Sequence, residues 1–496
     1  MAGVLPQAVT LCRPALGLLL GAMVLVPAVL GLGSLAAEQW PIKVAPAGNG
    51  DRIGKDSARS NGNAPEVMPA NPVPVEMFTG TGELGRLLGI KPESGFRLGG
   101  ALVGEANTFL SGSFAPQNTF GNGLQQLQLE ANLETLLGWK DTKVSVSGLN
   151  ANGSPVNLYA GSIQGFTDLP GTPPFDRTEL YTYWIAKGLF DRRLFLRFGK
   201  QTANVLFNNV VLGNQDLPSR TELATSGLIV PSLYNNPTLI GRMPVGYNAA
   251  LGLTVQWFPK GTGNTYLNYG IFDGNGAKWG YQTGLQAPWI NNYLFQIAEF
   301  GVRWNIGNGK LPAKFAIGAW YQSGLLDTPQ SVLNTVTTGS DLGAKANGAM
   351  GMYLYGTHRL WYRKPWVNPS GIGAFYQFGF SNSPASIIHQ YVGLGLTAYG
   401  LLEKRPHDNF GVGLAWAKPN PTKNPELFLL PQLFPGNYGG NPLAQVETPE
   451  VVIQLYYQFA LDRATYLEPV LSVIPKPSLI GNPATVAATL RLIKQF

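Results

Sequence analysis

The chain has 496 residues, only 13% of them charged, with 62 glycines, 11% aromatics and a formal net charge of +7. So mild a charge with no basic cluster excludes a nucleic-acid binder. The single Cys12 excludes disulfides and Cys-based metal or nucleophile chemistry from everything downstream of it.

The N-terminus reads as a secretory leader over residues 1–36. Arg13 is the only charge before Glu38, an apolar run spans Ala15 to Leu35, and Ser34-Leu35-Ala36 offers a small-x-small cleavage site. The other reading is an uncleaved anchor; Pro27 and the Gly-rich end favour cleavage. Cleavage removes Cys12 and lowers the net charge by one, since Arg13 leaves with it. Residues 37–80 are rich in Pro, Ala, Asn and Gly, and bury too little apolar surface to order themselves, so a flexible periplasmic tether is expected there. Glu83 to Leu88 has the pattern of one or two helical turns at a barrel mouth.

Beyond the leader no stretch reaches the roughly 18 apolar residues that a membrane helix needs. From about Gly95 the apolar residues instead recur with period two. Leu127, Leu129, Ala131 and Leu133 oppose Gln128, Glu130, Asn132 and Glu134; Val451, Ile453, Leu455, Tyr457 and Phe459 oppose Gln454, Tyr456 and Gln458. Sixteen candidate strands follow: 96–112, 123–137, 140–149, 176–187, 190–200, 247–258, 264–273, 293–305, 311–323, 350–363, 370–381, 388–400, 408–418, 448–460, 463–473 and 485–496. Every second connection is short, such as Gly138-Trp139-Lys140 or Leu461-Asp462, and most others are long, such as 201–246, 324–349 and 419–447. Short turns on one rim and long loops on the other predict an all-β, 16-stranded antiparallel transmembrane barrel over 81–496, with periplasmic turns and extracellular loops. A segment at 154–164 would make a seventeenth strand; an even count keeps both ends in the periplasm, so it belongs to the first long loop.

The last strand makes the same point. Val486, Ala488, Leu490, Leu492 and Phe496 share one face; Thr485, Ala487, Thr489, Arg491 and Gln495 share the other. A terminal amphipathic strand leaves an open edge unless it pairs with the first. Lys494 sits on the apolar face, where only a position near the rim lets it reach water. A soluble β-sandwich also has one polar and one apolar face; the leader, and polar faces rich in Gln, Asn and Tyr, oppose it.

The residues match a known family. Leu84-Gly85-Arg86-Leu87-Leu88-Gly89-Ile90, Leu137-Gly138-Trp139, Tyr159-Ala160-Gly161-Ser162-Ile163-Gln164 and Glu179-Leu180-Tyr181-Thr182-Tyr183-Trp184 come first, then Leu196-Arg197-Phe198-Gly199-Lys200. The most specific run is Gly400-Leu401-Leu402-Glu403-Lys404-Arg405-Pro406-His407-Asp408-Asn409-Phe410-Gly411-Val412-Gly413, followed by Glu450-Val451-Val452-Ile453-Gln454-Leu455-Tyr456-Tyr457. In order and spacing the chain resembles the carbohydrate-selective porins of the OprB family over roughly residues 80–496. The resemblance implies an outer-membrane porin that passes glucose or other mono- or oligosaccharides by diffusion. A homotrimer is the assembly usual among porins. Thr357-His358-Arg359 departs from the acidic residue and Gln expected there, which leaves the sugar open.

Parity along the strands selects inward candidates for a sugar path: Glu179, Tyr181, Tyr183, Arg193, Arg197, Glu299, Arg303, Arg359, Trp361, Arg363 and Arg491. Guanidinium and carboxylate groups exchange hydrogen bonds with sugar hydroxyls, and aromatic faces pack pyranose rings. The bland alternative is that these Arg and Glu satisfy one another and the tyrosines form an interfacial girdle. Asp216, Arg220 and Glu222 lie in the longest loop, which folds inward on this reading. A general or anion-selective porin shares the architecture, though inward Glu179 and Glu299 oppose anion selectivity; a tethered structural outer-membrane protein is a further reading. His358, His389 and His407 are far apart in sequence and no HExxH, P-loop or GxSxG occurs, so neither an enzyme nor a cofactor or metal is expected.

Overall fold

The computed structural model describes residues 82–169, 176–210, 227–240, 242–246, 248–259, 264–274, 293–306, 311–328, 345–363, 370–420, 449–462, 464–478 and 484–496. The expected leader and tether, residues 1–80, lie outside them.

Sixteen strands form the fold. The first four are β1 Phe96–Ser111, β2 Thr119–Asn132, β3 Thr142–Gly153 and β4 Arg177–Leu189. Next come β5 Leu194–Gln201, β6 Ala250–Trp257, β7 Thr265–Asp273 and β8 Leu294–Ile306. Then follow β9 Leu311–Asp327, β10 Lys345–Tyr362, β11 Gly371–Ser381 and β12 Ile388–Tyr399. The last are β13 Asn409–Pro419, β14 Glu450–Ala460, β15 Thr465–Ile474 and β16 Thr485–Gln495. Each pairs antiparallel with its neighbours in sequence, and β16 pairs with β1, so the sheet is a closed barrel. At the seam Gly100 and Phe496 exchange backbone hydrogen bonds of 2.9 and 3.0 Å, which leaves the last residue no free edge.

The two walls explain the alternation. Leu129, Ile185, Phe198, Leu253, Phe300, Ile317, Met352, Leu396, Leu455 and Leu490 are exposed on the outer wall, where a bilayer replaces water. Gln126, Gln128, Thr254, Asn268, Gln322, Gln377, Gln454 and Gln458 occupy the intervening inner positions and are buried. Lys494 lies on the outer wall at the short-turn rim, with its Nζ 3.5 Å from Asp462 in the β14–β15 turn. The rim position that the sequence demanded therefore comes with a counter-ion.

Two local signals redraw the strand edges. The run expected to continue to 137 leaves the sheet at Asn132, whose side chain accepts the Glu134 N–H (3.0 Å) and caps a short helix, α1, over Leu133–Leu137. Gly138, at φ 72°, ends it. A second short helix, Val156–Tyr159, lies in the 154–164 segment, which belongs to the first long loop as the even strand count requires. Upstream of β1, Glu83–Leu87 forms the expected helical turn at the rim.

Candidate functional site

Two long connections turn into the barrel and attach to its inner wall. The first, between β3 and β4, is held by Glu450 at the head of β14. Its carboxylate accepts the Ser162 hydroxyl (2.7 Å) and the Ile163 and Gln164 N–H groups (both 3.1 Å), together with the Ser478 N–H (2.9 Å). Further along, Thr167 donates to Glu105 (2.7 Å), and Asp168 pairs with Arg491. Arg491 is wholly buried, and its Nε lies 2.6 Å from Glu105. Register explains the meeting: Arg491 is the direct cross-strand partner of Glu105 on β1 and of Glu468 on β15.

The second connection, between β5 and β6, enters with Ala203–Val210 and returns with Gly227–Gly246. The Asn208 N–H donates to Glu299 on β8 (2.7 Å), and the Asn208 side chain accepts the Asn236 N–H (2.6 Å). Gln454 accepts the Ile229 and Val230 N–H groups (2.6 and 3.2 Å), and Gln377 donates to Ser232 O (2.8 Å). Gly413 on β13 makes room for this segment, since a Cβ there would stand 2.5 Å from Leu233. Phe207, Leu228, Ile229, Val230 and Leu233 are consequently fully buried inside the barrel.

Glu299 is the hub of the second attachment. Besides the Asn208 N–H it accepts the hydroxyls of Tyr266 (2.8 Å), Tyr353 (2.8 Å) and Tyr355 (2.9 Å). The rings lie flat because Gly301 and Gly318, the cross-strand partners of Tyr266 and Tyr353, leave no Cβ in their way. Lys314 stands 4.9 Å from the Tyr355 ring centre and Arg303 5.2 Å from that of Tyr266, both over the faces.

The predicted residues divide. Glu179 is on the inner wall, paired with Arg177 (2.8 Å) and Lys200 (3.4 Å). Tyr181 is inside and donates to Gly246 O at the end of the second loop. Arg197 is inside, 4.3 Å above the Trp184 ring. Glu299, Arg303 and Lys314 come together; Arg359 is 2% exposed, with its guanidinium over the Tyr362 and Tyr399 rings at 4.7 and 4.8 Å. Arg491 faces inward at the seam.

Four placements correct the parity count. Tyr181 is a bulge, opposite no residue between the Ser147–Thr182 and Gly148–Leu180 pairs, so Tyr183 shares the outer face with exposed Ile185. Leu360 is a bulge likewise, skipped between the Arg359–Gly373 and Trp361–Ile372 pairs, and Trp361 faces outward at 48% exposure. Arg193 precedes β5 in an exposed turn. Arg363 follows β10 at the rim, donating to Leu401 O (2.6 Å) and Glu403 (2.7 Å). Asp216, Arg220 and Glu222 lie outside the described residues. The sequence reading missed Glu105, Asp168, Glu450, Gln454 and Lys314. Strand parity signalled all but Asp168, which a loop supplies.

A closed sixteen-stranded barrel with an apolar outside, a polar inside and infolded loops is an outer-membrane channel of the porin class. The family model for the carbohydrate-selective porin, OprB family, matches residues 119–496. Porin B of Pseudomonas aeruginosa is 24% identical over 408 residues, covering 78% of this chain and 84% of that protein. The high-pH structure of Pseudomonas putida OprB superposes with a TM-score of 0.67 at 18% identity, covering 84% of this chain and 96% of that one. Its low-pH structure gives 0.50 at 16% identity, with 84% and 97% covered. The chain belongs to the carbohydrate-selective porin, OprB family, and is a sugar-selective channel of the bacterial outer membrane.

Proposed function

We propose that neutral sugars such as glucose cross this barrel by diffusion, without catalysis, along a path lined by Arg197, Arg303, Arg359, Glu179 and the two infolded loops. The observation that carries the reading is the inner wall's composition. Between the charged groups stand Gln126, Gln128, Gln256, Gln377 and Gln458, amides that donate to and accept from hydroxyls alike. Carboxylates accompany the cations around the wall: Glu179 and Glu299 on β4 and β8 stand among Arg197, Arg303, Lys314 and Arg359 of β5 and β8–β10, and Glu105, Glu450 and Glu468 of β1 and β14–β15 flank Arg491 on β16. An anion pore gains nothing from those carboxylates, which argues against general anion selectivity. Individual sites have to be weak, because a conducted solute must also leave.

The test is planar-bilayer conductance with glucose or maltose added. Sugar should reduce the current, and Arg359→Ala or Arg197→Ala should change the block, whereas Trp361→Ala, on the outer wall, should not. Block by phosphate but not by sugar would defeat the reading.

The homotrimer is our proposal for the assembly. On β1–β3 the outer wall carries Gly104, Gly123, Gln125, Gly148 and Asn150, where other strands carry Trp257, Tyr321, Phe378 and Leu455. Small residues and amides suit contact with another barrel better than contact with acyl chains. A cysteine at Gln125 should crosslink between copies in membranes; a purely monomeric product would refute this assembly.

A further inference from the structure

Because Tyr181 is a bulge, Trp184 faces the lumen while Tyr183 and Ile185 face the lipid. The successive cross-strand partners of Trp184, Gly199 on β5 and Gly252 on β6, set no side chain of their own beside its ring. Arg197, one inward position nearer the short turn, lays its guanidinium over the indole, with Cζ 4.3 Å from the ring centre. Both side chains are half-buried and open in part to the lumen.

Other inward cations meet protein acceptors. Arg177 and Lys200 pair with Glu179, Arg491 pairs with Glu105 and Asp168, and Lys314 donates to Asn209 O (3.3 Å). The Arg197 guanidinium has no acceptor among the described residues; the indole holds it instead. The indole N–H of Trp184 also has no acceptor among the described residues. Two donor groups fixed against each other inside a sugar channel thus lack only oxygens to receive them. Their place along the path follows from β5. Arg197 lies three residues beyond Leu194, where the strand leaves its short turn, and four before Gln201, where it runs on into the second infolded loop.

We propose that Trp184 and Arg197 form a sugar station between the second infolded loop and the periplasmic mouth. The indole fixes the guanidinium plane, and the fork of N–H groups donates to adjacent hydroxyl oxygens of a passing pyranose. The station rests on the neutral-sugar reading, and Trp184 is a positioning residue within it. A guanidinium pinned on a ring has already given up the rotamer freedom that binding would cost a loose arginine, so the pair holds hydroxyls more tightly than its charge alone would.

Planar-bilayer recordings on the full chain supply two readouts: glucose block of the current, and the reversal potential in a potassium chloride gradient. Glucose should block the wild type. Trp184→Leu should weaken that block about two- to fivefold without moving the reversal potential, since the charge remains. Trp184→Phe, which restores an aromatic face, should recover most of the block. Arg197→Lys keeps the charge and loses the fork, so it should weaken the block as Trp184→Leu does. Heat-modifiable migration establishes that each variant is a folded barrel. Undiminished block in Trp184→Leu or in Arg197→Lys overturns the station and leaves the neutral-sugar reading standing. A reversal potential that shifts together with the block in Trp184→Leu also overturns it, because the ring would then shape the pore rather than aim a donor. No glucose block in the wild type would defeat the neutral-sugar reading and the station together.

Discussion

Arg491→Met is expected to leave little folded barrel. Arg491 is the cation at which β15, β16, β1 and the first infolded loop converge, and it is buried with Glu105 and Asp168 against it. Removing one member of a buried ion network does not refund the others, because their charge remains without its partner in a medium that solvates it poorly. The cost is ~3–5 kcal/mol, placed where the last strand must join the first. Loss of the compact, heat-modifiable form in gel electrophoresis after refolding is the measurement, with a lowered urea midpoint for whatever folds. Arg491→Lys should do less harm, because it keeps the charge while losing the fork that reaches two carboxylates. A Met variant as stable as wild type would show that Glu105 and Asp168 tolerate being left alone.

Glu299→Ala should instead spare the barrel and enlarge the passage. Four donors lose their acceptor together: three tyrosine hydroxyls and the Asn208 N–H. Each buried donor left unsatisfied costs ~1–3 kcal/mol, and the group freest to move is the loop. Since Asn208 also holds Asn236, both limbs of the second loop should detach from the β8–β10 side. Single-channel conductance should rise, and liposome swelling should admit disaccharides faster relative to monosaccharides. Glu299→Gln, which keeps an accepting oxygen, should lie between. Unchanged conductance and unchanged sugar selectivity in the Ala variant would mean that the remaining attachments, among them Asn268 to Leu206 O, Lys314 to Asn209 O and the Gln454 and Gln377 amides, hold the loop without Glu299.

The barrel was legible because one rule, every second residue apolar, repeats over sixteen segments. The β14 alternation from Val451 to Phe459 holds throughout, and Glu299, Arg303 and Arg491 face inward as parity requires. Parity failed where one residue drops out of register. Nothing in the composition around Tyr181 or Leu360 announces a bulge, and neither is a glycine. The helix after Asn132 was in principle readable, since an Asn followed by Glu134 and later Gly138 is a cap-to-cap signal; period-two alternation masked it. The loop contacts were out of reach for another reason. Ser162 and Glu450 meet across 288 positions of sequence, and strand parity states which way Glu450 points but not what arrives there.

The bulge at Leu360 makes β10 behave like text read in frames of two. One added letter leaves Ala349 to Arg359 in one frame and shifts Trp361 and Tyr362 into the other. The shift ends with the strand, so the turn that follows resets the frame and the remaining strands are untouched. Excising Leu360 would remove the bulge and restore strict alternation without turning either side chain: Trp361, then next after inward Arg359, would still face the lipid and Tyr362 the lumen. A single-codon deletion there should thus leave unchanged what the channel shows to its solute and to the membrane.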